Sequence, residues 1–250
     1  MQEVQPYEKL AKFYDHVMSY IDYEIWIDFL RELCDTHSIH PERTLDLSCG
    51  TGNTIPYLKS WCGDLYCMDL SPEMVKRLME KFPAMAGHAW VGDMSRLPIR
   101  ACFDLIMNLQ DSMNYYPDIS GVITHLDEVH THLSEGGAYI FDFSTPENVK
   151  NNFIDYHEIY EDEMFGYERI NRYHPRKKLN QTDFIIWDME QGKKKVYLEK
   201  HVQRMYSLDE IETSLRKSSF SRWVLYEDEL LHPPSADTER VHVIAFQKDS

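Results

Sequence analysis

The segment Leu45-Asp46-Leu47-Ser48-Cys49-Gly50-Thr51-Gly52-Asn53 places two glycines one residue apart, directly after an apolar run. Glycine reaches backbone angles closed to other residues and lets a ligand approach the main chain. Nineteen residues after Gly50 stands Asp69. It ends the next apolar run, where a carboxylate can accept hydrogen bonds from both hydroxyls of a ribose. A glycine loop with an acid at this interval points to a nucleotide-like ligand. Two phosphate-binding readings weaken on the same residues. The third glycine of G-x-G-x-x-G would fall at Ile55, and no G-x-x-x-x-G-K-[ST] occurs.

The elements that must position this loop follow from hydrophobic spacing. Apolar runs at Thr44 to Leu47, Leu65 to Met68, His88 to Val91, Phe103 to Met107 and Ala138 to Phe143 alternate with helix-length segments. One of these, Ser71 to Phe82, opens with a capping serine and a proline. Such alternation predicts a doubly wound parallel sheet, and continuous apolarity of its strands predicts burial on both faces. Upstream, Ile25, Trp26, Phe29, Leu30 and Leu33 recur at helical spacing after a candidate cap at Asp22, with Pro41 beyond. An earlier helix is expected around Leu10, Phe13, Tyr14 and Val17. After Asp142 the alternation stops. Residues 156–206 show period-two segments, with Phe184, Ile186 and Val196 to Leu198 as antiparallel strands and turns at His174-Pro175 and Gln191-Gly192. A helix with Leu208, Ile211 and Leu215 and strands at Trp223 to Tyr226 and Val241 to Phe246 close the chain. The expected division is a helical cap over 1–40, an α/β core over 41–150 and 207–250, and an antiparallel insert over 151–206.

Composition bounds the function. The 250 residues hold 26 Lys and Arg against 42 Asp and Glu, a net charge of −16, with 43% hydrophobic and 27% charged residues. That supports one folded domain with an insertion. The apolar runs, such as Ala138 to Phe141, fall far short of the ~20 residues a membrane helix needs. MQEVQPYEKL has no basic stretch followed by an apolar one, so no secretory signal is expected. Five cysteines, at 34, 49, 62, 67 and 102, form no CxxC pair. No metal site or disulfide framework is therefore expected, and a cytoplasmic location fits. A charge of −16 argues against a nucleic-acid partner. Residues 164–205 are an exception, with ten Lys and Arg against five Asp and Glu, a balance of +5 beside −21 elsewhere.

With these residues in view, the sequence resembles the class I S-adenosylmethionine-dependent methyltransferases. Asp46-Leu47-Ser48-Cys49-Gly50-Thr51-Gly52 is similar to the family's first motif, with Ser48 where many members have glycine. Gly92-Asp93-Met94 is similar to its third motif, Phe103 to Asn108 resembles its fourth strand, and Gly136-Gly137 precedes a fifth. The motifs cover residues 44–143. A narrower resemblance spans nearly the whole chain. Tyr7, Phe13-Tyr14-Asp15, Met18, Asp22-Tyr23 and Trp26 look like the N-terminal cap of a bacterial subgroup that includes aminosugar N,N-dimethyltransferases. The subgroup shares a DS-x-NY segment, here Asp111-Ser112-Met113-Asn114-Tyr115, and an insert ending like Glu199 to Ser207.

The resemblance implies a Rossmann-like, mostly parallel seven-stranded sheet with the antiparallel β insert as a lid, and S-adenosylmethionine as cofactor. It implies that the loop of Ser48, Cys49, Gly50, Gly52 and Asn53 approaches the methionine part, with Asp46 orienting either the loop or the ammonium group. Asp69 maps to the ribose, and Leu70, Met74, Asp93 and Met94 lie around the adenine. Leu109 to Ser112 follow the sulfonium end, Tyr14 closes over the cofactor, and Trp26 is a further contact or a core residue.

Two candidates for catalysis remain. Asp111, facing the methyl group, either holds a substrate amine or caps the next turn. His201 shares a strand face with Glu199 and Gln203 and is either a base or an ordinary strand histidine. Arg204, on the opposite parity, reads as a structural ion pair, Lys193 to Lys195 as a solvated hairpin tip, and the Cys49 thiol lacks a base. The leading expectation is methyl transfer to a small-molecule acceptor, at nitrogen on the strength of the resemblance. RNA or protein methylation through the basic insert is an alternative, as is cofactor binding without turnover. Pairing of insert edge strands in a homodimer is left open.

Overall fold

The computed structural model describes residues 1–190, 192–227 and 231–247. A short strand, β1 (Gln2–Val4), leads into a 3-10 turn at Leu10–Lys12 and a one-turn helix, α1 (Tyr14–Val17). The helical reading of residues 1–40 fails at β1. Three residues carry no periodicity, and β1 exists because it pairs in parallel with a distant strand, Val4 lying opposite Glu199.

Helix α2 (Tyr23–Thr36) begins where expected, with the Asp22 carboxylate accepting from the Glu24 and Ile25 N–H groups. Its buried stripe is Ile27, Phe29, Leu30 and Leu33, while Ile25 is exposed. At 100° per residue Ile25 lies about 140° around the helix from Leu30, and Ile27 only about 60°. The stripe therefore turns Ile25 to solvent.

The central part alternates β2 (Arg43–Asp46), α3 (Ile55–Leu58), β3 (Asp64–Asp69), α4 (Pro72–Lys81), β4 (Ala89–Val91), β5 (Phe103–Asn108), α5 (Ile119–Thr131), β6 (Leu133–Ser144) and α6 (Pro146–Asn152). Ser71 caps α4 by accepting from the Met74 N–H, as its position before Pro72 predicts. The chain then forms β7 (His157–Glu161), β8 (Phe165–His174), β9 (Leu179–Glu190) and β10 (Lys193–Arg204), followed by α7 (Leu208–Lys217), β11 (Arg222–Glu227) and β12 (Arg240–Phe246). His174-Pro175 does open a turn, a 3-10 segment ending at left-handed Lys178. Gln191, of the other expected turn, lies outside the described residues.

Two sheets result. The seven-stranded sheet runs β11-β12-β6-β5-β2-β3-β4, with β6, β5, β2, β3 and β4 parallel and β12 antiparallel to both neighbours. One face packs Leu30, Leu33, Ile55 and Leu78 on Leu105 and Ile140, and the other packs Val122, Leu126 and Ile211 on Ile106 and Phe141. Strand order reverses between β2 and β5, so the loops after them diverge and leave a crevice at their carboxyl ends. The five-stranded sheet runs β1-β10-β9-β8-β7 and is antiparallel except for β1. Its Tyr167, Phe184 and Ile186 pack against Leu10, Phe13 and Val17.

Replacing Asp22 with Ala removes two charge-assisted N–H bonds at the start of α2. We expect a loss of about 1 kcal/mol, read as a fall of about 2–4 °C in the melting midpoint.

Candidate active site

The loop after β2 hangs on its neighbours: Leu47 N–H donates to Met107 O and Cys49 N–H to Met68 O. Gly50 and Gly52 both adopt positive φ, +53° and +82°. A Cβ on Gly52 would come within 2.7 Å of Ile55 Cδ1, so the turn is closed to larger residues on two counts. Asp46 is buried beneath the loop and accepts from Ser48 N–H and the Thr54 hydroxyl, each at 3.2 Å. Burial raises its carboxyl to about 7, against the pull of these two donors. Ser48 Oγ donates to Asn108 Oδ1 at 2.7 Å, linking the loop to β5. Asn53 bridges Lys81 Nζ on α4 and the Tyr23 hydroxyl. The Cys49 thiol is buried and pushed up by burial, which leaves only its main chain for a ligand.

Asp69 joins the two loops of the crevice, accepting from Gly50 N–H at 2.9 Å and Ser71 N–H at 2.8 Å. Burial raises its carboxyl to about 6. Each oxygen takes one N–H and keeps capacity for another donor. Asp93 is exposed and accepts from Ser95 N–H, while Met94 is half-buried with its sulfur against Asn108 Nδ2. Leu109 is buried, its carbonyl receiving the Ser48 and Ser112 hydroxyls. Met74 is buried in the first turn of α4, but Leu70 is 69% exposed. Thus Gly50, Gly52, Asp46, Ser48, Asp69 and Leu109 are brought together, while Leu70 stands on the surface and the Cys49 thiol lies in the core.

The opposite wall comes from the N-terminal segment and the second sheet. A Cβ on Gly50 would sit 3.8 Å from the Tyr14 ring, and the Tyr14 hydroxyl donates to Gln110 Oε1 at 3.1 Å. Gln110 Nε2 is buried without a partner. Trp26 donates to His242 Nε2 at 3.2 Å, its ring 5.4 Å from the Arg240 guanidinium. Gln110 and Asp111 are consecutive left-handed residues, φ 59° and 50°, a conformation costly for side chains with a Cβ. Asp111 does not cap the turn at Ser112–Tyr115. Its carboxylate accepts instead from Arg240 Nη2 at 2.9 Å and Gln203 Nε2 at 2.7 Å, and its N–H donates to Asp142 Oδ1 at 2.9 Å. Asp142 also receives Arg240 Nη1, yet burial, the larger effect, raises it to about 6.

These groups line a cavity of about 160 Å³, bordered by Tyr7, Tyr14, Asp111, Tyr115, His201 and Arg240. His201 is buried, with Nδ1 2.9 Å from the Tyr115 hydroxyl, which lies 2.8 Å from that of Tyr7. Arg240 and the contacts among the tyrosines were not legible as site features, and Gln110 was legible only as part of the segment Leu109 to Ser112. Arg240 reaches Asp111 only because β12 pairs with β6, placing it opposite Ser144. Gln203 had a signal, since it shares strand parity with His201. Arg204 makes the structural pair anticipated for it, with Glu210 at 2.8 Å.

The Asp46 carboxyl titrates near 4 when unfolded and at about 7 when folded. The folded chain holds this proton more tightly, so the contribution is present below pH 4 and lost as pH rises through about 7. Asp46→Asn keeps the shape without the charge. In urea titrations the variant should gain on the wild type between pH 4 and pH 8, by on the order of 4 kcal/mol.

The crevice fits an adenosyl ligand. It offers a carboxylate with two free acceptor positions, an open glycine main chain and an orphaned amide donor at Gln110. A family model described as a methyltransferase domain matches residues 44–137. The chain is 25% identical over 239 residues to the Bacillus subtilis protein YqeM, which carries a methyltransferase name, with 94% of each covered. It is 28% identical to an S-adenosylmethionine-dependent methyltransferase from Clostridium acetobutylicum, with a TM-score of 0.79 and coverage of 96% of this chain and 98% of that one. The sugar N-methyltransferase KedS8 from Streptoalloteichus shares the fold at 18% identity, with a TM-score of 0.75 and coverage of 100% and 94%. The motif match, the full-length likenesses and the glycine–aspartate crevice agree: residues 44–137 are similar to a methyltransferase domain, and the chain is a Rossmann-like S-adenosylmethionine-dependent methyltransferase with S-adenosylmethionine as its cofactor.

Proposed function

We propose that the enzyme methylates a nitrogen atom of a small-molecule acceptor held in the cavity between the two sheets. The observation that carries this reading is the Asp111 carboxylate, fixed at the cavity by Arg240 and Gln203. It can accept an N–H of an amine, whereas its charge opposes the anionic oxygen or sulfur nucleophile an alternative acceptor would present. The shared fold with a sugar N-methyltransferase supports an aminosugar-like acceptor. The cofactor supplies a methyl group on a positively charged sulfur. The chain supplies alignment and exclusion of water.

In this reading Asp69 receives the ribose hydroxyls, and Tyr14 and the Gly50–Gly52 main chain close around the methionine part. Asp93 and Met94 flank the adenine, and Asp111 orients the amine. His201 receives its proton through Tyr115. Residues 1–40 and 151–206 form the cover over a core of 41–150 and 207–250. Five unpaired cysteines suit a reducing cytoplasm, and no helix among the described residues is long and apolar enough to cross a membrane. Docking of RNA on the basic insert draws little support from the surface. Arg172 pairs with Asp183, Lys178 and Arg204 with Glu210, Lys194 with Glu161 and Lys200 with Glu3.

Calorimetry should find S-adenosylhomocysteine bound in the micromolar range, about −8 kcal/mol, with Asp69→Ala weakening it by about tenfold or more. The neutral probe 5′-methylthioadenosine isolates the Asp69 titration. Ribose hydroxyls favour the carboxylate, so affinity should be full near pH 7 and decline as pH falls through about 6; a flat profile would remove Asp69 from the ribose.

With a panel of aminosugars and matched hydroxyl sugars, mass spectrometry should find methyl groups on nitrogen alone. Asp111→Asn should lower kcat/KM about 10–100-fold with S-adenosylhomocysteine affinity little changed. Methylation of the hydroxyl sugars alone would overturn the nitrogen assignment.

A further inference from the structure

The carboxylate of Glu199 is fully buried and touches two parts of the site. Its Oε2 accepts from Tyr7 N–H at 2.8 Å, and its Oε1 from Leu10 N–H at 2.8 Å and from Lys9 N–H. Beside Oε2, at 3.4 Å, lies His201 Nε2, which is buried and makes no hydrogen bond. The Oε2 charge 3.4 Å from Nε2 favours an N–H at that nitrogen over a lone pair. The neutral ring is therefore protonated at Nε2, and Nδ1 is an acceptor.

The rest of the network takes its direction from this choice. The Tyr115 hydroxyl, 2.9 Å from Nδ1, donates to it, and the Tyr7 hydroxyl, 2.8 Å away, donates to Tyr115. Tyr7 oxygen then keeps its lone pairs for the cavity that both tyrosines line. The groups around His201 are Glu199 on its own strand, Tyr115 from the turn after β5, Tyr7 from the N-terminal segment and Phe184 from β9, whose ring centre is 5.5 Å away. Among these only Glu199 is a full charge.

We propose that Glu199 is a positioning residue that orients a one-way proton chain, Tyr7 to Tyr115 to His201, and that the chain is complete only when residues 7–10 are docked on this carboxylate. The proposal rests on the amine-methylating reading above. As the new N–C bond forms and the C–S bond breaks with its electron pair going to sulfur, the acceptor nitrogen becomes cationic and sheds a proton to Tyr7 oxygen. The Tyr7 proton passes to Tyr115 and the Tyr115 proton to His201 Nδ1. Both tyrosines end neutral, and the positive charge rests on an imidazolium facing Glu199.

The test is nitrogen NMR of ¹⁵N-histidine-labelled protein in complex with S-adenosylhomocysteine, with His201 assigned by its loss in His201→Phe. The expected state is an Nε2–H tautomer with a hydrogen-bonded Nδ1. In Tyr115→Phe the tautomer persists, but the Nδ1 resonance moves to that of a free acceptor. In Glu199→Gln the side-chain amide donates to Nε2 and the tautomer reverses. Tyr115→Phe should also lower kcat at least tenfold at neutral pH, with S-adenosylhomocysteine affinity unchanged. An Nδ1–H tautomer in the wild type would overturn the proposal, as would full turnover in Tyr115→Phe. Because the tautomer is read without any acceptor, its failure is distinct from a failure to methylate amines, and Tyr115→Phe keeps the test open should Glu199→Gln not fold.

Discussion

The Arg240 guanidinium, wedged between the carboxylates of Asp142 and Asp111, is the interaction on which the site's geometry depends. Asp142 is fully buried on β6, and such a charge is costly unless a partner meets it. Arg240 meets it from the neighbouring β12, and its second nitrogen reaches Asp111. In the left-handed pair Gln110–Asp111, with a conformational cost of about 1–3 kcal/mol per residue, Asp111 is thereby held at both its N–H and its carboxylate. Asp142 takes the Asp111 N–H and Arg240 the carboxylate. The remaining Asp111 oxygen is bonded by Gln203 on the second sheet. One carboxylate thus registers the second sheet over the carboxyl edge of the first.

The crevice itself is built at the expense of stability. Asp46 and Asp69 are both raised, chiefly by burial, so the folded chain holds carboxyls that would be more stable as anions in water. Each is met by two donors, fewer than a carboxylate can accept. On the proposed reading, the shortfall at Asp69 is what the ribose hydroxyls supply. At Asp46 it faces the interior and serves to hold the loop. The same residue type at the ends of adjacent strands therefore does two jobs, set by what can approach it.

What was legible in the sequence was local. The glycine loop, the interval to Asp69 and the caps at Asp22 and Ser71 depend on neighbours within a few residues, and the structure has them where spacing placed them. Ile25 was misplaced because spacing alone does not fix the centre of a helical stripe, and packing against the sheet chose Ile27. The shared parity of Glu199, His201 and Gln203 was legible as period two. Their partners were not, since Tyr7, Tyr115 and Asp111 are separated from them by 86 residues or more. Strand β1 and the role of Arg240 arise only from pairings between distant segments, and three residues of strand or one arginine carry no local mark of such pairing.

The N-terminal segment shows how these distant ties differ in kind. Toward the second sheet it buries Leu10, Phe13 and Val17 against Tyr167, Phe184 and Ile186. Toward the first sheet its 3-10 turn packs on α4, and the hydrogen bonds and ion pairs there are Ser71 Oγ to Tyr7 O, Lys81 to Asp15, and Thr51 to Asp15. Water can replace polar contacts of this kind at a net cost of about 1 kcal/mol each or less, but exposing the apolar side costs about 25 cal/mol for every Å² uncovered. The segment is therefore tied to the second sheet by an apolar face and by the β1 pairing, although it precedes the first sheet in the chain. The crevice is bounded where this apolar-backed segment meets the glycine loop, through the Thr51–Asp15 bond and the Tyr14 ring against Gly50.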